Sequence, residues 1–110
     1  MSTTKFGVTV EHQSGAVVLH VHGELDIATT PTLRESISQA LNGNPTILVI
    51  DLSAVTFLAA AGLVTLATAT RTGADVRLVA ANRPCERTIN LTGFDTVLPL
   101  HKSLPDALGS

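Results

Sequence analysis

The segment TILVIDL, residues 46–52, is the strongest constraint in this chain. Its β-branched and leucine side chains run without the apolar–polar alternation of a half-exposed strand. A strand of that kind is buried on both faces, as in a sheet with parallel neighbours. Parallel neighbours need crossover connections, so helices must follow the strands and pack on the sheet.

The flanking segments meet that demand. KFGVTVEH (residues 5–12) alternates around Phe6, Val8 and Val10, as a half-buried strand does. Ser14 and Gly15 form a turn signal, and AVVLHVHGELD (residues 16–26) follows, so the pair reads as a hairpin. Its alternation puts Val17, Leu19 and Val21 on one face and Val18, His20 and His22 on the other. A helix comes next, with Thr30 as candidate N-cap and Pro31 at the first helical position. Leu33, Ile37, Ala40 and Leu41 make its apolar stripe, and NGNP (residues 42–45) ends it.

After TILVIDL, the segment TFLAAAGLV (residues 56–64) reads as the end of a strand passing into a helix. That helix carries the stripe Leu63, Leu66, Ala67 and Thr70 and stops near Gly73. DVRLVA (residues 75–80) is another strand, residues 84–92 a short helix closed by Gly93, and TVLPL (residues 96–100) a short last strand. The tail SLPDAL (residues 103–108) adds a helical turn. The order β-β-α-β-α-β-α-β, with that final turn, predicts an α/β fold with a mixed, mainly parallel sheet and helices packed on it. The loops GELDIATTP (residues 23–31) and TFLAAAGL follow consecutive strands and are expected on one sheet edge, where such sheets hold binding sites.

A chain of 110 residues is enough for one compact domain and too short for two, so a single domain over residues 1–110 is expected. Only three residues are aromatic, so the core must be built from Val, Leu, Ile and Ala. Seven basic and nine acidic side chains with no basic block argue against a nucleic-acid surface. One cysteine, Cys85, allows no intramolecular disulfide and fits a reducing compartment. The N-terminus has no apolar core of signal-peptide length. Residues 52–70 lack a formal charge, but Ser53, Thr56, Gly62, Thr65, Thr68 and Thr70 make them too polar for a membrane span. A cytoplasmic protein without membrane insertion is expected.

Chemistry is poorly supplied. A nucleophile needs a base and charge-stabilising donors, and the strand-to-helix turn offers only Ala59, Ala60 and Ala61. Cys85 at a helix N-terminus could be activated, but a small buried apolar role is the better reading. Glu24 and Asp26 share one loop and have no partner in sequence to make an acid/base pair. His12, His20 and His22 could hold zinc if the hairpin gathers them, although surface histidines are the plainer reading. The turn before Gly62 lacks the glycine-rich loop and lysine of a nucleotide site. No enzyme activity, cofactor or metal is expected. What remains is an interaction module, with the alanines either an exposed close-packing surface or a buried helix start.

Three segments together, GELDIATTP, VIDLSAVTFLAAAGL (residues 49–63) and NLTGFDTVLPLHKSLPDAL (residues 90–108), resemble the STAS domain of bacterial anti-sigma-factor antagonists. The resemblance runs over nearly the whole chain. It implies a four- or five-stranded sheet flanked by helices and a protein that binds an anti-sigma factor, often a serine kinase, and so frees a sigma factor for transcription. In the family the turn commonly reads Asp-Ser-Ser/Thr-Gly-Leu, and phosphorylation of its first serine switches binding off.

Aligned on Phe57 and on Gly62 with Leu63, this chain has Ala59 in place of the Asp, Ala60 in place of the phosphoacceptor and Ala61 in place of the second hydroxyl. The resemblance implies a partner-binding surface of Glu24, Asp26, Thr29, Ala59, Ala60, Ala61, Gly62 and Leu63, with the usual switch lost at Ala60. Asp51, ending the central strand, matches a common family Asp and reads as structural, capping a turn. Ser53, Thr56 and Thr65 are the other hydroxyls near the turn, and nothing in the sequence fixes their orientation. Alternatives are a STAS scaffold subunit of a signalling or lipid-transport complex, a small-ligand or nucleotide sensor, and a domain that binds nothing. The oligomeric state is left open.

Overall fold

The computed structural model describes residues 6–13, 15–80 and 82–109. Lys5 of the first strand reading and Ser14 of the hairpin turn lie outside the described residues. The elements are β1 (Gly7–Gln13), β2 (Ala16–Leu25), α1 (Thr30–Asn42), β3 (Ile47–Leu58), α2 (Ala60–Thr70), β4 (Val76–Val79), α3 (Arg83–Thr92), a 3-10 turn (Phe94–Thr96), β5 (Leu100–His101) and α4 (Leu104–Leu108). One five-stranded sheet has the order β1-β2-β3-β4-β5. β1 is antiparallel to β2, and every later pair is parallel.

Sequential strand order with right-handed crossovers places successive helices on one face of a sheet. The packing follows that rule. Leu33 and Ile37 of α1, Leu63, Leu66 and Ala69 of α2, and Cys85 and Ile89 of α3 share one core with Leu19, Leu48, Ile50 and Leu78 of the strands. The opposite face is covered by α4, where Ala107, with Leu104 and Leu108 beside it, packs on Val18, Val49 and Val79. Ser103 caps α4 by accepting from the Asp106 amide, and Arg77 donates to the Ala107 carbonyl at 2.7 Å. Both faces of β3 are therefore covered over its first half, as its unbroken apolar run requires. No helix among the described residues is long and apolar enough to cross a membrane.

The structure corrects the sequence reading at several points. β3 continues six residues past Leu52, so Asp51 lies inside the strand rather than at its end. Val10 is 51% exposed, on the edge strand, where it lines an open groove with Ser36, Gln39 and Ala40 of α1. The buried set of α2 is Gly62, Leu63, Thr65, Leu66 and Ala69, with Ala67 and Thr70 at its margin. Thr65 enters the core because its hydroxyl donates to the Ala61 carbonyl of the preceding turn at 3.0 Å. The N-cap of α1 is Thr29, not Thr30, which is buried and donates to the Ile27 carbonyl. The last strand is Leu100–His101, because Phe94–Thr96 is spent on a 3-10 turn after Gly93 reverses the chain at φ 79°.

Candidate partner-binding surface

The surface is built where β2 and β3 end together. Leu25 pairs with Leu58 across the parallel ladder, and the Ala59 amide donates to the Leu25 carbonyl at 2.9 Å. The loops after the two strands thus open on the same sheet edge.

The first loop is organised by its own side chains. Asp26 Oδ1 accepts from the backbone amides of Ala28 (3.0 Å) and Thr29 (3.1 Å). The Thr29 hydroxyl accepts from the Asp26 amide and donates to the Glu24 carbonyl at 2.8 Å. A carboxylate placed this close to the start of α1 is favoured by the helix dipole. Asp26 and Thr29 therefore shape the loop, while the Glu24 side chain projects to solvent.

The second loop depends on irregularities in β3. Two register shifts, opposite His20–His22 and Gly23–Glu24, each insert one extra residue into β3. Buried positions accordingly fall at Leu52, Val55 and Leu58, three apart rather than two. The first bulge is held from both sides. Asp51 Oδ1 accepts from the Ser53 amide at 3.0 Å. The Asn82 side-chain amide approaches the carbonyls of Leu52, Ser53 and Val55 at 2.7–3.0 Å, while its oxygen accepts from the Cys85 amide. The structural reading of Asp51 is retained, with a bulge in place of a terminal turn.

Ala59 occupies the N-cap of α2 with extended backbone and no side-chain cap, the position that Ser, Thr, Asp or Asn fills best. Ala60 is exposed, and Ala59 and Ala61 are half-buried. Gly62 and Leu63 are buried beneath them, which corrects their place in the expected surface. They seat the turn and present nothing to a partner.

Three large apolar side chains missed by the sequence reading stand out at this edge: Ile27 is 80% exposed, Phe57 51% and Val64 58%. Phe57 is the register partner of Glu24, and Val64 is one helical turn beyond Ala60, on the same helix face. Regular alternation from Leu52 would have sent Phe57 away from the buried set only by parity; the two bulges decide where it lies. The available signal was a large apolar residue at each position that the strand and helix stripes do not absorb.

Other sequence candidates are placed elsewhere. Cys85 is fully buried, and burial pushes its thiol up to about 11, so it is no activated nucleophile. The three histidines do not meet. His12 is paired with core-facing Val17, so it lies on the opposite sheet face from His20 and His22. A groove of about 460 Å³ beside Val10, Ala40 and Pro45 lies at the other sheet edge, where the parallel strands begin.

A sheet with one antiparallel edge strand and three helices on one face defines an α/β domain of mixed, mainly parallel topology. The STAS domain family model matches residues 7–107, and the chain belongs to that family. It is 43% identical over 104 residues to the anti-sigma-F factor antagonist RsfB of Mycobacterium tuberculosis, covering 92% of this chain and 85% of that protein. It is 32% identical over 108 residues to the anti-sigma-F factor antagonist RsfA of the same species, covering 93% and 84%. An anti-sigma factor antagonist structure from Mycobacterium paratuberculosis superposes with a TM-score of 0.88 at 38% identity, covering 94% of this chain and 92% of that one.

Proposed function

We propose that this protein is an anti-sigma-factor antagonist, a cytoplasmic binder rather than an enzyme, that engages an anti-sigma factor through the edge carrying Glu24, Ala59, Ala60 and Ala61. The observation that carries the reading is the exposed apolar set Ile27, Phe57 and Val64 around a turn of small side chains. Interfaces take their energy from a few large apolar anchors, and alanines between them allow close approach. Asp26 and Thr29 contribute by holding the loop that carries Ile27. The antagonist relatives RsfB and RsfA, 43% and 32% identical, support the same partner class.

The partner cannot control this surface by phosphorylating residue 60, because the Ala60 methyl has no hydroxyl to accept a phosphoryl group. A phosphate would add about −1.5 to −2 charges at the start of α2, a change an apolar partner surface would reject. With Ala60 the surface stays neutral and the binder stays active.

The test is binding and phosphotransfer with radiolabelled ATP against the anti-sigma factors of the source organism. Wild type and an Ala59→Asp, Ala60→Ser, Ala61→Ser variant would be compared. Binding without label in the wild type, and label gained by the variant with a kinase partner, is the expected result. Absence of binding to every anti-sigma factor would sink the reading and turn attention to scaffold partners.

A further inference from the structure

His20 has a carboxylate at each ring nitrogen. Its Nε2 lies 2.7 Å from Glu11 Oε1, and its Nδ1 lies 2.9 Å from Asp51 Oδ2. The three residues belong to three adjacent strands, the edge strand β1, β2 and the central strand β3. They stand on the same sheet face as Val18 and Val49, bordering the cluster that α4 covers.

A neutral imidazole has one N–H and one lone pair, so it can donate to one carboxylate while turning its lone pair on the other. The imidazolium alone satisfies both contacts. We propose that Glu11, His20 and Asp51 form a proton-operated clamp that fastens the edge strand β1 to the rest of the sheet. The clamp is closed when His20 carries its proton and opens on the Glu11 side when the proton leaves.

The opening side follows from the two carboxylates' surroundings. Asp51 is 16% exposed, sits in the central strand and is anchored a second time by the Ser53 amide. Glu11 is 44% exposed on the edge strand, and its other partner, the Gln13 side-chain amide at 2.6 Å, moves with the same strand. Neutral His20 therefore keeps Nδ1–H on Asp51 and turns its Nε2 lone pair on Glu11, which swings into solvent.

Other charged and titratable groups on this face do not compete. His22, next on the same side of β2, is exposed, with its ring against Gly7. Arg77 of β4 is engaged by Asp75 and by the Ala107 carbonyl. His101 of β5 is separated from Asp51 by Val79 in the register, and Asp106 of α4 is exposed. The hydrogen bond that His20 donates to Glu11, opposed by partial burial and reinforced by Asp51, holds the His20 proton above the ordinary histidine range. Glu11 is held below the ordinary carboxylate range, first by Gln13 and then by His20.

Opening releases the only side-chain ion pair that β1 makes with its neighbour among the described residues, leaving the ladder to hold an edge strand with one open side. The experiment is an NMR titration of the His20 ring in wild type and Glu11→Gln, with hydrogen exchange of the β1 amides across the same pH range. Glu11→Gln is isosteric at a half-exposed edge position, so the variant is expected to fold. Expected are a wild-type midpoint above the ordinary histidine value and both ring nitrogens protonated below that midpoint. In Glu11→Gln the midpoint should fall toward the ordinary histidine value, because the largest cause of the rise is removed. The β1 amides should exchange severalfold faster, beyond the intrinsic pH effect, once wild-type His20 is neutral. A midpoint in the ordinary histidine range that Glu11→Gln leaves unmoved would overturn the clamp. So would β1 exchange that follows intrinsic chemistry alone through the titration.

Discussion

A Cβ placed on Gly62 would lie 2.8 Å from Leu25 Cγ and 2.9 Å from Leu58 Cδ1. Both leucines are buried, so neither has free space into which to retreat. The glycine is required by close approach, since it lets the start of α2 settle on the paired ends of β2 and β3. Gly62→Ala should lower stability by about 1–3 kcal/mol through overpacking. Urea unfolding with an unchanged slope and a lower midpoint is the expected observation.

Ala59 leaves an N-cap unfilled on a helix whose backbone is already extended at that position, φ −91° and ψ 166°. Ala59→Ser or Ala59→Asp should therefore stabilise the domain by about 1 kcal/mol, the ordinary size of an N-cap bond. Thermal melts of the two variants beside wild type would show a raised midpoint. No change would mean that the side chain does not reach the Ala61 or Gly62 amide.

Asn82 ties the first bulge of β3 to the start of α3 through its two ends. Asn82→Ala removes the side-chain donor from three carbonyls, two of them partly buried, and the acceptor from a helix amide, with an expected cost of about 1–3 kcal/mol. Asn82→Ser keeps the cap on the Cys85 amide and should recover part of that loss. Faster hydrogen exchange confined to residues 53–60 in Asn82→Ser would mark the bulge as the segment it holds.

Phe57 and Val64 are exposed and should matter little to folding. Phe57→Ala and Val64→Ala are expected to stay within about 0.5 kcal/mol of wild-type stability. Against an anti-sigma factor, Phe57→Ala should weaken binding by more than tenfold if it is a central anchor. Calorimetry on both variants separates the two effects.

Stability should peak between the titrations of Glu11 and His20. His20 is held above its ordinary value of 6.5, so its contribution is full below that pH and is lost as pH rises through the folded value. Glu11 is held below its ordinary 4.5, so its contribution is present above that pH and is lost as pH falls through the folded value. Urea midpoints measured across the range should fall on both sides in wild type, and Glu11→Gln should flatten both limbs.

Local periodicity and end signals determined most of the fold of this protein. The doubly buried run in β3, the Val17–Leu19–Val21 face of β2, the Leu33–Ile37 stripe of α1 and the Gly93 stop are all carried by short stretches of side chains. The candidate turn was legible for the same reason, since Ala59 to Ala61 fill a strand–helix junction where polar residues are expected. Tertiary structure decided what that turn presents. Bulges arise from pairing with another strand, so the three-residue spacing of Leu52, Val55 and Leu58, which buries Val55, has no period-two trace in β3 itself. Burial of Gly62 and Leu63 depends on Leu25, which lies 37 and 38 positions away in the chain. The partners of His20 were hidden likewise, because cross-strand neighbours are set by register, and register is a property of strand pairs rather than of any one segment.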